Sequence, residues 1–353
     1  VKIPASELKA LLKQVSAVKN THLVLTNGGL VAQDSDVTVC VGSDKFSDIP
    51  NISVEARKFS SVVNRMSGEV EITPSDNLLT IKSGKAKVEM EFTAPKPRTF
   101  TAPPETITLP LGPMKDLLKY VYSSADQNRA AATGGVVQFE SVTSGVFGDE
   151  KVTGFEAMAT DSKRCAYSSV VADVPSAFKF LIPLPAVAVL QGLSGDLVDA
   201  AETDSYLFFR TPSATLYANK LSKKFPNYRS FVPKKFAFSA TINAVDFKNA
   251  LNTVEPMVQD IETYAVSVHF LDGVLRIKTI GNGGQAQDEI PYASDPLADI
   301  EEFKIKLDHR YLSDYVSQVS GEITFNGNSA TQPIVMECSG KNILIAAVAG
   351  GSE

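Results

Sequence analysis

The chain has 353 residues, 44% of them hydrophobic, and a formal net charge of -6. That apolar content supports two or three ordinary cores and excludes a disordered chain, while the acidic balance excludes a protein that grips nucleic acid through an overall basic surface. Cys40, Cys165 and Cys338 lie far apart with no CxxC pair, which speaks for a reducing compartment and against a disulfide or zinc framework.

From the start of the chain, LKALLKQV at Leu8 places apolar residues at its first, fourth, fifth and eighth positions, the spacing of one buried helical face. Ser6 is placed to cap that helix. VEARKFSSVV (Val54 to Val63) leads into a second helix. MSGEVEIT, from Met66, then reads as a helix end, a glycine C-cap and an alternating strand. The proline-rich APKPRTFTAPP marks a boundary near residue 105. MKDLLKYV at Met114 repeats the first helical pattern, with Pro113 suited to its first turn. GVVQFESV and GFEAMATDSKRCAYSSVV read as strands, LSGDLVDA at Leu193 repeats the Ser-Gly signature, and SYLFFRT and ATLYANKL follow as strands.

FPNYRSFVP, from Phe225 to Pro233, sets three aromatics among two prolines, with Phe225 just before the first and Tyr228 and Phe231 between them. It is expected to run extended and to pack in a groove where one domain ends and the next begins. FKNALNTV at Phe247, capped by Asn243, is a third copy of the first helix. YAVSVHFLDGVLRIKTIG reads as a hairpin turning at Leu271-Asp272-Gly273-Val274, VSGEITFN at Val319 is the third Ser-Gly signature, and PIVMECSGKNILIAAVA supplies the last strands. The signature glycines Gly68, Gly195 and Gly321 are almost equally spaced, which makes the chain a threefold repeat. Each copy is expected to be two helices on one face of an antiparallel sheet, an α+β layer arrangement, with domains at 1–105, 106–233 and 234–353.

In that order, the chain resembles the bacterial-type DNA polymerase sliding clamps, the beta processivity subunits, as a divergent or phage-encoded member. The resemblance covers almost the full length. It rests on VEARKFSSVV, on ATDSKRCAYS (Ala159 to Ser168) where the family has ATDGHRLA, and on KFPNYRSFVP (Lys224 to Pro233), close to the family's FPDYR. It implies three tandem clamp domains per subunit and a head-to-tail homodimer closed into a ring around double-stranded DNA. It also implies a hydrophobic pocket between domains two and three for peptides of the polymerase catalytic subunit, the clamp loader and other clamp-binding proteins.

The first helices carry Lys9 and Lys13, Lys115 and Lys119, and Lys248, each pair four residues apart on one side. The resemblance turns these toward DNA phosphates, and an ordinary solvated helix face fits the same pattern. It adds Arg57, Lys58 and Arg65 on a second helix, Lys19 and His22 on the loop after the first helix, Arg129 and Arg310. Leu184 and Pro185 stand where the family has basic residues, which weakens any DNA contact from that helix.

For the peptide pocket the matching residues are Thr160, Ser162, Lys163, Arg164 and Cys165, then Pro226, Ser230 and Phe231, then Tyr311 and Pro333, with Ala347 and Val348 near the rim. Thr160 and Arg164 are expected to serve as polar anchors among apolar walls. Plain interdomain packing fits Pro226 and Phe231 as well. Ser162, Lys163 and Cys165 replace the family's Gly, His and Leu, and the C-terminal Met-Pro-x-Arg-Leu is missing, so a changed peptide consensus is expected. Phe100, Met257 and Val258 match apolar residues of the dimer interface, and a core position fits Met257 too.

No catalytic constellation is expected. His22, His269 and His309 are scattered, and no HExxH, GxSxG or Walker loop occurs. GNGGQAQD, from Gly281, lies between two strands and reads as a hairpin loop, and no metal or other cofactor is called for. No apolar run approaches a membrane span and Val1 leads straight into amphipathic sequence, so a soluble, cytoplasmic protein is expected. The alternative is a non-catalytic scaffold or phage structural protein built from the same repeat.

Overall fold

The computed structural model of the chain describes residues 1–19, 22–95, 100–142, 154–174, 176–258, 264–281, 283–295 and 300–348. It is an α+β fold in which one order of elements recurs three times. The first passage is β1 (Lys2–Pro4), α1 (Ala5–Val15), β2 (His22–Thr26), β3 (Gly29–Gln33), β4 (Val37–Gly42), β5 (Ile52–Glu55), α2 (Ala56–Asn64), β6 (Glu69–Ser75), β7 (Leu78–Ser83) and β8 (Ala86–Glu91). The second is β9 (Ile107–Pro110), α3 (Leu111–Tyr122), β10 (Val136–Val142), β11 (Gly154–Thr160), β12 (Arg164–Val171), β13 (Lys179–Pro183), α4 (Leu184–Gly192), β14 (Leu197–Glu202), β15 (Tyr206–Arg210) and β16 (Ala214–Asn219). The third is β17 (Phe238–Asn243), α5 (Ala244–Val258), β18 (Ala265–Leu271), β19 (Val274–Gly281), β20 (Gly284–Pro291), the short β21 (Ala293–Ser294), β22 (Phe303–Asp308), α6 (His309–Val316), β23 (Glu322–Gly327), β24 (Ile334–Cys338) and β25 (Lys341–Ile345).

Two compact units emerge from the packing. One holds Val1–Lys119, Phe139–Gly154 and Val171–Ser222, and the other holds Tyr120–Gln138, Phe155–Val170 and Lys223–Glu353. In the first unit, β5-β2-β3-β4 continue through β16-β15-β14-β9 as one eight-stranded sheet, and β1-β6-β7-β8 form a second sheet. The join is antiparallel, with Val37 opposite Ala218 and Val41 opposite Ala214. In the second unit, β22-β18-β19-β20 form one sheet, and β11, β12, β25, β24, β23 and β17 are successive neighbours in another. There the join sets Arg164 opposite Ile345 and Ser168 opposite Lys341.

The strands of each repeat therefore fall into two sheets, where the strand pattern suggested one. The opening strand is responsible: it pairs with the strand after the Ser-Gly turn (β1 with β6, β9 with β14, β17 with β23) rather than with its neighbours in sequence. Alternation along a strand tells which face is buried but not which strand lies beside it.

The Ser-Gly turns fix the helices. Gly68, Gly195 and Gly321 have φ of 72, 133 and 94, a region that suits glycine because no Cβ meets the backbone. In each turn a carbonyl, that of Gly68, Asp196 or Gly321, accepts the N–H opening the first helix of its repeat (Ala5, Leu111, Ala244) at 2.8 Å. Beneath α1, Leu8, Leu11, Leu12 and Val15 are buried, and Phe247, Leu251 and Val254 do the same under α5. Asn243 caps α5, its Oδ1 accepting from the Val245 N–H at 2.8 Å. Ser6 caps nothing: it lies inside the first turn of α1, whose preceding residue is Pro4. No helix among the described residues is long and apolar enough to cross a membrane.

At Gly29 the hairpin closes so tightly that a Cβ would sit 2.0 Å from the Val41 carbonyl oxygen. Gly29→Ala should lower stability by about 1–3 kcal/mol, read as a lower urea midpoint with an unchanged slope.

Candidate functional site

In the first unit α1 and α2 flank a cleft of about 1320 Å³. Leu12, Val15, Val18, Leu23 and Ala32 line it with apolar surface, and Lys19, His22, Arg57 and Arg65 supply charge or potential charge. All four of these side chains are exposed to water. The carboxylate in the lining, Glu55, is held by Lys58 at 2.6 Å. Four of the expected DNA-binding residues are thus gathered at one cleft. His22 is the first residue of β2 rather than part of the loop.

The lysine that recurs at the second place of each first-helix motif has a different job from the one its repetition suggested. Lys9 Nζ donates to the Met66 carbonyl at 2.8 Å, and Lys115 Nζ donates to the Leu193 carbonyl at 3.0 Å. Both carbonyls sit just past the second helix, immediately before the Ser-Gly pair, so the ammonium latches the two helices together. Each ammonium is half-buried and has one of its three donors on a backbone carbonyl, a structural task that the sequence pattern did not show. Lys13, Lys119 and Lys248 remain exposed. Arg310 grips Asp308 with Nε at 3.1 Å and Nη2 at 2.6 Å, and its guanidinium lies 3.9 Å from the Tyr264 ring centre. Arg129 is exposed on a loop whose carbonyls, those of Arg129 and Ala131, each accept from Lys223 Nζ at 2.6 Å.

The second unit holds the residues expected at the peptide pocket, and several prove to be structural. Thr160 Oγ1 donates to the Arg164 carbonyl at 2.6 Å and accepts the Ser162 N–H at 3.1 Å, while Asp161 Oδ1 accepts from the Lys163 and Arg164 N–H groups. These bonds build the β11–β12 hairpin turn, where Ser162 takes a φ of 74. Arg164, only 9% exposed, donates to Asp161 at 3.1 Å, to Asp314 at 2.6 Å and to the Ser123 carbonyl at 2.6 Å, with its guanidinium 4.4 Å from the Tyr311 ring centre. Its polar edges are spoken for within the fold. Thr160 and Arg164, expected as peptide anchors, also organise the hairpin and its neighbours. Cys165 is buried with Met158 and Tyr228, packed by Phe225, Val232 and Leu344, and burial pushes its thiol up to about 12. It is a thiol of this small hydrophobic core.

The proline-flanked stretch is a tight 3-10 turn at Tyr228–Ser230 rather than an extended run, with the Asn227 carbonyl accepting from the Ser230 N–H at 3.1 Å and from its hydroxyl at 2.6 Å. A carboxylate that the sequence reading passed over anchors it. Glu156, on β11 and 3% exposed, accepts from the Tyr228 hydroxyl at 2.8 Å and from Arg229 Nη2 at 2.5 Å. Its signal was present in GFEAMAT, where an acidic residue in an otherwise apolar strand needs buried partners. With Tyr228 pinned inside, Phe231 is thrown outward at 61% exposure, between half-buried Pro226 and exposed Ser230 on one side and half-buried Val232 on the other. The end of the described chain lies in the same unit: Ala346 N donates to the Lys163 carbonyl at 2.8 Å and Val348 N to the Lys306 carbonyl at 2.9 Å. Lys163, Ala347 and Val348 are thereby brought together, with Ala347 and Val348 half-exposed and Pro333 half-buried ahead of β24.

Two of the residues expected at a subunit interface are already used. Phe100 stacks on Tyr217 at 4.2 Å and meets Tyr206 edge-on at 5.6 Å. Val258 is 1% exposed inside its own repeat and offers no surface to a second chain, while Met257 is half-buried. Among the described residues no group of His, Cys, Asp and Glu side chains is arranged to hold a metal ion.

No protein-family model matches the chain, and no curated protein matches it in sequence. Solved structures do match in fold. The DNA polymerase III beta subunit of Thermotoga maritima superposes with a TM-score of 0.88 at 15% identity, covering 99% of both chains. The DNA polymerase sliding clamp of Bacillus subtilis gives 0.82 at 19% identity, again over 99% of both chains. The sliding clamp of Bartonella birtlesii, solved bound to griselimycin, gives 0.84 at 19% identity over 99% of both chains. The chain has the fold of these clamps from end to end.

Because its lysine serves the helix pair, Lys115→Met should cost about 1–2 kcal/mol of stability by urea unfolding and leave affinity for duplex DNA unchanged in a titration at fixed salt.

Proposed function

We propose that the protein is a DNA polymerase processivity clamp, a non-catalytic cytoplasmic ring that encircles duplex DNA and tethers the replicative polymerase. The observation that carries the reading is the full-length fold match to sliding clamps, at TM-scores of 0.82 to 0.88, in a chain where Lys19, His22, Arg57 and Arg65 line one cleft beside the first two helices. The three recurrences of the element order are its domains, 1–105, 106–233 and 234–353, and two copies join head to tail. Duplex DNA passes the cleft of Lys19, His22, Arg57 and Arg65 without sequence preference, aided by exposed Lys13, Lys119 and Lys248.

A net charge of -6 fits this role. A protein held on DNA by a basic grip releases many counterions and resists movement along the duplex, whereas a closed ring is retained by topology and needs only weak phosphate contacts. The peptide site is the surface around Phe231, with Pro226, Ser230, Tyr311, Pro333, Lys163, Ala347 and Val348. An exposed aromatic fixed from behind by a buried Tyr–Glu–Arg network supplies a rigid apolar contact at low entropic cost. It would receive hydrophobic peptides of the polymerase and the clamp loader.

After loading, the protein should persist on nicked circular DNA and be lost within minutes when the circle is linearised; equal loss from both removes encirclement. Phe231→Ala should reduce polymerase stimulation by about tenfold or more while leaving the solution mass unchanged, and full stimulation by the variant would place the peptide site elsewhere.

A further inference from the structure

The linker that carries Phe231 has a charge opposite to that of the chain. From Lys220 to Lys235 it holds six Lys and Arg and no Asp or Glu, in a protein whose net charge is -6. Three of those cations are engaged by the fold. Lys220 meets Glu202 at 2.6 Å, Lys223 donates to the Arg129 and Ala131 carbonyls, and Arg229 meets buried Glu156 at 2.5 Å. The other three, Lys224, Lys234 and Lys235, are exposed and make no ion pair or side-chain hydrogen bond among the described residues.

The backbone that presents these lysines is pinned along its length. Lys223 ties down one end, and the bonds of Tyr228 and Arg229 to Glu156 hold the middle. Asn328 holds the other end: its Oδ1 accepts the Ala237 N–H at 2.8 Å and its Nδ2 donates to the Lys235 carbonyl at 3.1 Å. Three peptide units separate Phe231 from Lys234, so their Cα atoms lie within about 11 Å of each other. A lysine stem is long enough to bring its ammonium to a ligand resting on the ring. Glu156, the carboxylate that touches the linker, is 3% exposed and already paired, so it leaves the three lysines uncompensated.

Resting on the peptide-site reading above, we propose that the partner peptides received at Phe231 are acidic as well as apolar. An apolar side chain packs on the exposed ring, while Asp or Glu residues on either side of it face Lys224 and the adjacent Lys234 and Lys235. A purely hydrophobic peptide would fill the ring contact and leave three ammonium groups without a counterpart. Flanking carboxylates speed the encounter and select among apolar peptides, and the ring supplies the contact itself. Single-stranded nucleic acid also combines cations with aromatic rings, but there successive bases stack on successive rings. Here Phe225 is half-buried against the core around Cys165 and Tyr228 is 4% exposed, so one ring of the three faces outward and the geometry favours a peptide.

The protein contains no tryptophan, so a tryptophan in a synthetic peptide reports its own binding by fluorescence. Two short peptides share a Leu-Trp-Leu centre, one flanked by aspartates and the other by asparagines, and the full-length protein is titrated into each. At low salt the aspartate peptide should bind about tenfold more tightly. The margin should shrink to about twofold or less at about 1 M salt, where exposed charges are screened within about 3 Å. Lys224→Gln combined with Lys234→Gln and Lys235→Gln should erase the margin and leave the asparagine peptide unchanged, whereas Phe231→Ala should weaken both peptides alike. Equal affinity for the two peptides, both lost with Phe231→Ala, overturns the acidic preference and leaves the peptide site in place. If neither peptide binds, or if Phe231→Ala affects neither, the peptide site itself is overturned. Oligothymidylate that displaces the aspartate peptide and binds more tightly assigns the surface to nucleic acid and also overturns the proposal.

Discussion

A strand edge exposes a row of N–H and C=O groups that must be paired, covered or protected, and this constraint shapes the chain more than any single side chain does. Twice along the chain the last strand of one repeat pairs with the third strand after the first helix of the repeat before it. The pairing of β4 with β16 in one unit and of β12 with β25 in the other answers the constraint twice by the same means. The opening strand of each repeat pairs back to the strand after the Ser-Gly turn, which closes that sheet's other end and leaves the outgoing edge as the place where one repeat can be extended by the next.

The helices are subordinate to that frame. Their apolar faces lie on the sheets, and their ends are held by the Ser-Gly turns and by the lysine latches of Lys9 and Lys115. A few cations are used internally in this way, on carbonyls, on Asp308 and on the carboxylates around Arg164. Most lysines and arginines stay in water, and Lys19, His22, Arg57 and Arg65 among the exposed side chains line the α1–α2 cleft. A composition that argued against a general basic surface thus coexists with a local one.

The repeat was legible because it rests on local chemistry: the helical period of LKALLKQV and its two copies, the glycine that must follow a helix end, and the alternation of the strands. Strand partners were not legible, since period-two alternation says nothing about which edge lies alongside, and so each repeat was read with one sheet instead of two. The lysines show a second limit. A lysine repeated at one position of three helices looks the same in sequence whether or not it also caps a neighbouring helix, and the bonds to the carbonyls of Met66 and Leu193 show only once the chain has folded. Arg164 and Thr160 fall under the same limit, because the resemblance gave their neighbourhood while the hairpin they build gives their task. Tyr228 and Phe231 were grouped as one aromatic cluster, although Glu156 draws the first inward and leaves the second outside.

The burial of Arg164 sets it apart electrostatically from the cations of the cleft. Ions in solution screen solvated charges over about 8 Å at physiological strength and reach a nine-tenths buried guanidinium far less. Rising salt therefore screens the field of Lys19, Arg57 and Arg65 long before it loosens the hold of Arg164 on Asp161, Asp314 and the Ser123 carbonyl. The same chain carries surface charges that the ionic medium can mute and a brace that it cannot, so its outer field can be tuned without softening the body that carries it.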